Sequence, residues 1–213
     1  MDRKRLSLFC GHFGSGKTNI AVNYAEMLRS EGLDVVIADL DIVNPYFRTK
    51  DSEDELKAKG IDVLTLPYAN TNVDLPVVPK EAYGLFTDKS RHSVLDIGGD
   101  DRGAYVLGMF RPYILGENDF DMFYVVNFYR YLTRTPELAL EVMREIEQAC
   151  GIKFTSVINN SNLGKETTRE DITFTAPLAG ELCELAGLPM AFTAAAENIA
   201  GDGDFALHLQ KSY

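Results

Sequence analysis

Cysteine is scarce in this sequence: Cys10, Cys150 and Cys183 are its only thiols, far apart and without a C-x-x-C pair. That spacing excludes a disulfide framework and gives no zinc signature, and it fits a reducing cytoplasm. No cluster of cysteine and histidine is visible, which places a metal-insertion role behind other readings. Positive charge is in deficit as well. Lysine and arginine number 21 against 32 aspartates and glutamates, a formal net charge of −11. A field of that sign repels nucleic-acid phosphates and anionic lipid, so neither a nucleic acid nor a membrane is expected as a partner. Long apolar runs are missing, and with them any expected membrane span. Met1 to Arg5 is basic, but the apolar stretch that follows, Leu6 to Cys10, is too short for the core of a signal peptide. Internal repeats and low-complexity stretches are also absent.

What is present is the balance of a soluble globular protein, with 46% hydrophobic and 25% charged residues. A chain of 213 residues is long enough for one α/β domain with a sizeable core, so residues 1–213 are expected to form a single domain. Short apolar runs alternate with longer segments of helical period. Leu6 to Cys10, Val35 to Ala38, Val63 to Leu66, Val94 to Ile97, Met122 to Val126, Phe154 to Ile158 and Met190 to Thr193 read as strands buried on both faces. Asn19 to Arg29 and Pro136 to Gln148 read as helices, stopped by Gly32 and Gly151, the second started by Thr135-Pro136-Glu137. Asp51 to Lys59 is a charge-rich helix candidate and Ala69 to Val78 a loop. The alternation predicts an α/β fold: a mostly parallel sheet of about seven strands flanked by helices, with ligands bound beyond the C-terminal strand ends.

The strongest motif follows the first apolar run. Gly11-His12-Phe13-Gly14-Ser15-Gly16-Lys17-Thr18 has the spacing G-x-x-x-x-G-K-T of a phosphate-binding P-loop between strand and helix. Glycines let backbone N–H groups surround phosphates without Cβ clashes, and the helix start turns its positive dipole end toward the same oxygens. Lys17 would supply charge to the β- and γ-phosphates, and Thr18 a hydroxyl to Mg2+. Asp96 closes the run Ser93-Val94-Leu95-Asp96-Ile97-Gly98-Gly99 in the manner of a Walker B carboxylate, and Gly98 and Gly99 would let a loop approach the γ-phosphate. Asp100, Asp101 and Arg102 follow as either a nucleotide-sensing loop or a solvated turn. Asp39 and Asp41 end the second strand with the same side-chain direction, which favours a magnesium or water-handling role. Asp39 lies deeper, toward the metal; Asp41 would reach farther, to orient an attacking water. The aromatic group Phe120, Phe123, Tyr124, Phe128, Tyr129 and Tyr131 is interleaved only with Arg130 and Arg134, so it reads as core and loop packing rather than base stacking. The end of the chain, Gly201 to Tyr213, lacks the basic amphipathic helix of a membrane-targeting tail.

These motifs, in this order, resemble the MinD/ParA branch of the SIMIBI class of P-loop ATPases, which includes the nitrogenase iron protein, dethiobiotin synthetase and cobyrinic acid a,c-diamide synthase. The resemblance rests on Gly11 to Thr18, on Asp39-Leu40-Asp41 as a first switch and on Asp96-Ile97-Gly98-Gly99 as a second. It implies MgATP as ligand, ATP hydrolysis to ADP and phosphate, a protein partner that reads the switch loops, and a homodimer as one assembly. Many members carry a signature lysine at the second P-loop position that reaches across a dimer. This chain has His12 there, a departure from the pattern on which lysine-assisted dimer catalysis rests. The resemblance also makes Asn160 the adenine reader, with Asn159 as the fallback, because an amide matches the donor and acceptor of that base. The guanine motif N-K-x-D is absent. Two functions remain: a nucleotide-dependent switch acting through residues 41–48 and 98–102, and a carboxylate-activating ligase resembling dethiobiotin or cobyrinic diamide synthesis. The ligase ranks second, because Arg48, Lys80, Arg102 and Arg111 show no spacing that marks an acid pocket.

Overall fold

The apolar run Leu6–Cys10 is buried along its whole length and forms β1. It lies in the interior of the sheet, and the Gly11–Gly16 loop leaves its C-terminal end. A computed structural model describes residues 3–40, 50–65, 80–99 and 101–208. In chain order the elements after β1 are α1 (Lys17–Ser30), β2 (Val35–Leu40), α2 (Lys50–Ala58), β3 (Asp62–Thr65), α3 (Gly84–Thr87), β4 (His92–Ile97), α4 (Asp101–Glu117), β5 (Phe120–Val126), α5 (Pro136–Cys150), β6 (Ser156–Asn159), α6 (Arg169–Ala186), β7 (Met190–Ala196) and β8 (Phe205–Leu207). The eight strands form one sheet in the order β3-β2-β4-β1-β5-β6-β7-β8. Every strand pairing is parallel. The expectation of about seven strands falls one short, because Phe205–Leu207 spans only 3 residues. The Ala69 to Val78 loop lies outside the described residues, as does Leu66.

The sheet is covered on both faces, which is why its strands read as near-continuous apolar runs. On one face Ile20, Ala21, Tyr24 and Leu28 of α1 and Leu56 of α2 pack on Phe9, Ile37, Val94 and Val125. On the other, Leu107 and Phe110 of α4, Met143 of α5 and Leu182 of α6 pack on Leu8, Ala38, Leu95 and Tyr124. The aromatic group is largely core: Phe123, Tyr124 and Phe128 are buried, while Tyr131 stays exposed beside the Arg134 guanidinium, 4.9 Å from the ring centre. Among the described residues no helix is long and apolar enough to cross a membrane.

The helix starts follow local chemistry. Thr135 caps α5 by accepting from Leu138 N, with Pro136 at the first helical position, and Gly151 ends the helix in the left-handed region at φ 71°. Just inside that end, the Glu147 carboxylate ties α5 to the segment entering β6. It accepts from Lys153 Nζ at 2.6 Å, Arg144 at 2.7 Å and the Phe154 amide at 3.1 Å. Burial pushes this carboxyl up, but the bonds from Lys153, Arg144 and Phe154 together hold it below the usual glutamate range. A depressed folded-state value stabilises the fold at pH above the unfolded value of about 4.3 and is lost as pH falls through the folded value. Glu147→Gln is therefore expected to cost about 1–3 kcal/mol at pH 7. Urea denaturation of wild type and variant should show that gap closing as the pH is lowered below about 4; a gap independent of pH would contradict the assignment.

Candidate functional site

The site lies at the C-terminal edge of β1, β2 and β4, where the loop Gly11–Gly16 joins β1 to α1. β4 pairs with both β1 and β2, and Asp96 is the register partner of Phe9 on one side and of Asp39 on the other. Partners in register share a face of the sheet. Phe9 faces α1, so both carboxylates do too. Thr18, in the first turn of α1, meets them there: its Oγ1 donates to Asp96 Oδ2 at 2.6 Å. Asp39 and Asp96 are almost fully buried, and Asp39 also takes part in further interactions.

The loop is held in a conformation that requires glycine. Gly16 has φ 83°, and a Cβ there would fall 2.3 Å from Asn160 Nδ2. That amide nitrogen donates to Ser15 O at 2.7 Å, so Asn160 is fastened to the phosphate loop from the end of β6. Gly99, beyond the end of β4, lies against the loop from the other side: a Cβ would fall 2.6 Å from Phe13 N and 2.9 Å from Gly11 O. Ser15 N closes a turn on His12 O at 3.1 Å. Lys17 is 6% exposed and directs Nζ to His12 O at 3.3 Å, inside the curve of the loop. His12 Nδ1 turns back to Phe13 O at 2.9 Å, and Phe13 is 64% exposed. The Ser15 hydroxyl is buried with no hydrogen-bond partner among the described residues. Burial pushes the Cys10 thiol well above its ordinary value, which makes it a packing group under the loop and not a nucleophile.

The donor set fits a hard divalent cation. Thr18 Oγ1 and the carboxylates of Asp96 and Asp39 are oxygen ligands of the type Mg2+ takes, and Mg2+ completes its shell with phosphate and water. Among the described residues no group of three His, Cys, Asp or Glu side chains forms a protein-only metal cage. A site of two carboxylates and a hydroxyl beside a phosphate loop needs none.

Sequence reasoning located Gly11 to Thr18, Asp39, Asp96 and Asn160, and the fold brings all of them to one edge. Asp41 lies outside the described residues. Asn159 is spent internally, its Oδ1 accepting from Ser161 N at 3.2 Å and Oγ at 2.7 Å, so the fallback base reader is a turn-forming residue. Asp101 and the residues after it form the start of α4 and not a free sensing loop. Of the cations considered for an acid pocket, Arg48 and the Arg102 side chain lie outside the described residues; Arg111 packs on Gly151 at the far end of α5, and Lys80 opens the turn leading to α3. Two features escaped the sequence. Arg130 donates from Nε to Gly14 O at 3.0 Å, and Asn127 ties the loop after β5 to the loop after β6 through Asn162. Neither carries a motif; each shows only once β5 is known to lie next to β1, and β6 next to β5.

Because Asn160 holds Ser15 O, its replacement is expected to act on both ends of a nucleotide. Asn160→Ala should lower triphosphate affinity by about 1–2 kcal/mol whatever the base, and lower any preference for adenine in addition. Competition titrations with ATP and GTP on wild type and variant separate the two effects. Unchanged affinity for both would show that the clamp contributes nothing to binding.

No protein family's sequence pattern matches this chain, and no curated protein sequence is similar to it. Solved structures do share its fold. FlhF complexed with GTP and Mg2+ superposes with a TM-score of 0.56 at 14% identity, covering 92% of this chain and 68% of FlhF. FtsY from Mycoplasma mycoides gives 0.61 at 17% identity, covering 92% and 62%, and chloroplast FtsY from Physcomitrella patens gives 0.62 at 18% identity, covering 92% and 60%. The chain thus spans about two thirds of FlhF and about three fifths of these FtsY chains. At such identities the likeness establishes the fold alone, a parallel sheet flanked by helices of the P-loop NTPase type.

Proposed function

We propose that this chain is a nucleotide-dependent switch that binds and hydrolyses MgATP, as in the MinD/ParA type of P-loop ATPase. The observation that carries the reading is the bond from Thr18 Oγ1 to Asp96 Oδ2, with Asp39 in register beside it and Lys17 curled inside the adjoining loop. A hydroxyl and two buried carboxylates next to a cationic loop suit a metal-bound triphosphate and little else.

In this reading the backbone of Gly11 to Gly16 surrounds the phosphates and Lys17 moves its ammonium from His12 O to phosphate oxygen. Thr18, Asp96 and Asp39 would hold the metal, which when bound would neutralise triphosphate charge. Asp41 orients the attacking water. The absence of an N-K-x-D carboxylate favours adenine. Asn160 would meet its exocyclic amine with the amide oxygen, the nitrogen being committed to Ser15 O. The GTP in FlhF makes guanine the rival base. The switch surface would be residues 41–48 and 98–102, read by a protein partner; Gly99 lies against the loop backbone, so a shift at the phosphates reaches the start of α4 directly.

The test is calorimetric titration with ATP and GTP, with and without Mg2+, alongside phosphate release. Wild type is expected to bind ATP more tightly and to need Mg2+. Asp96→Asn should lose most of the Mg2+ dependence, because the amide keeps the volume without the charge. Asp41→Ala should bind ATP without turning it over. Tighter binding of GTP would overturn the base assignment, and phosphate release only when a small carboxylate is added would favour the ligase.

A further inference from the structure

We infer that Arg130 is a positioning residue of the phosphate site, bracing the middle of the loop in its binding conformation; this rests on the nucleotide reading above. Arg130 follows β5, the strand beside β1, and its Nε donates to Gly14 O at 3.0 Å. A Cβ on Gly14 would fall 3.2 Å from Nε and 3.4 Å from Cζ, so the guanidinium lies directly against the loop backbone. Among the described residues it forms no ion pair with a carboxylate.

Arg130 is itself anchored. Its amide donates to Asn127 O at 3.1 Å, and Thr133 Oγ1 donates to the same carbonyl at 2.6 Å. Asn127 Oδ1 accepts from Tyr129 N at 3.0 Å and Asn162 N at 3.3 Å, while its Nδ2 donates to Asn162 O at 3.1 Å. Asn162 Nδ2 donates to Asn160 O at 2.8 Å, and Asn160 Nδ2 returns to the loop at Ser15 O. The chain of bonds leaves the loop at Gly14 and closes on it at Ser15, so two successive carbonyls are held from outside. With those oxygens drawn outward, the loop cannot collapse into the space that phosphates fill. A loop already ordered before binding does not lose that conformational freedom on binding. The device acts on the cradle common to all nucleotides of the series and not on the terminal phosphate.

Direct binding of ATP and ADP to wild type, Arg130→Ala and Arg130→Gln tests this. Arg130→Ala is expected to lower affinity for ATP and for ADP by the same factor, roughly tenfold. Arg130→Gln, which keeps a donor for Gly14 O but no charge, is expected to recover most of that loss, with the unfolding temperature of the nucleotide-free protein unchanged in both. A loss confined to ATP would mean that Arg130 touches the terminal phosphate, and wild-type affinity in Arg130→Ala would mean that it braces nothing; either result overturns the inference. Wild-type binding is read first. Failure there removes the nucleotide reading itself, whereas a binding wild type with indifferent variants removes only the role of Arg130.

Discussion

Lys17→Ala is expected to weaken ATP binding by two to three orders of magnitude and leave the fold standing. The Lys17 stem is buried in the first turn of α1, and its ammonium reaches back 3.3 Å to His12 O inside the phosphate loop. That bond occupies the charge in the nucleotide-free protein; a triphosphate would take it over. Truncating one member of a desolvated charge pair costs about 2–5 kcal/mol, and each 1.4 kcal/mol is tenfold in affinity. The cost to folding is much smaller, because the ammonium makes a single bond to a loop carbonyl and alanine is the best helix former at the head of α1. Calorimetry with MgATP, beside thermal unfolding of the free protein, checks both halves. Affinity within threefold of wild type would remove the phosphate assignment of the loop.

Gly99→Ala is expected to be nearly as damaging to binding, by steric means alone. The added methyl would sit 2.6 Å from Phe13 N, 2.9 Å from Gly11 O and 2.9 Å from His12 C. These are backbone atoms of the phosphate loop, with no flexible side chain to swing aside. Either the loop shifts or the connection from β4 to α4 retreats, and that connection begins just after Asp96, the acceptor for Thr18. Overpacking of this kind costs about 1–3 kcal/mol of stability. Displacing a binding group by about 1 Å can cost a further hundredfold in function. The control is Gly180→Ala in α6, where a Cβ meets nothing within 4 Å. That change should leave ATP binding intact and stabilise the helix by about 0.5–1 kcal/mol. Equal ATP affinity in the two alanine variants would show that the close approach at Gly99 does not control the loop.

The sequence by itself determined the parts whose cause is local. Gly11, Gly16, Lys17 and Thr18 declare the phosphate loop because spacing, φ preference and charge all lie within one turn of chain between a strand and a helix. The strands β1, β2, β4 and β5 were legible because a doubly covered parallel strand has no polar face to interrupt its run. Thr135, Pro136 and Gly151 fixed α5, since caps act over three or four residues. Two of the long helices were not legible. α4 carries Gly103, Gly108, Pro112 and Gly116, and α6 contains Pro177, residues that weaken a helix in isolation and are tolerated because packing on the sheet outweighs propensity. A local signal did exist at α6, the capping box of Thr168 and Asp171 followed by Gly187 at the other end.

Only the tertiary structure decided what the site residues touch. Asp39 and Asp96 become neighbours because β2 pairs with β4, and strand order depends on contacts between segments far apart in the chain. Asn160 had the chemistry to read a base, but the placement of β6 one strand beyond β5 also delivers its amide nitrogen to Ser15 O. Arg130 looked like one of two surface cations among aromatics, yet the adjacency of β5 and β1 sets it against Gly14. Local sequence specifies turns, caps and the two-residue and 3.6-residue periods; which side chains meet across the sheet is set by burial of the whole core, and no short window of residues contains that information.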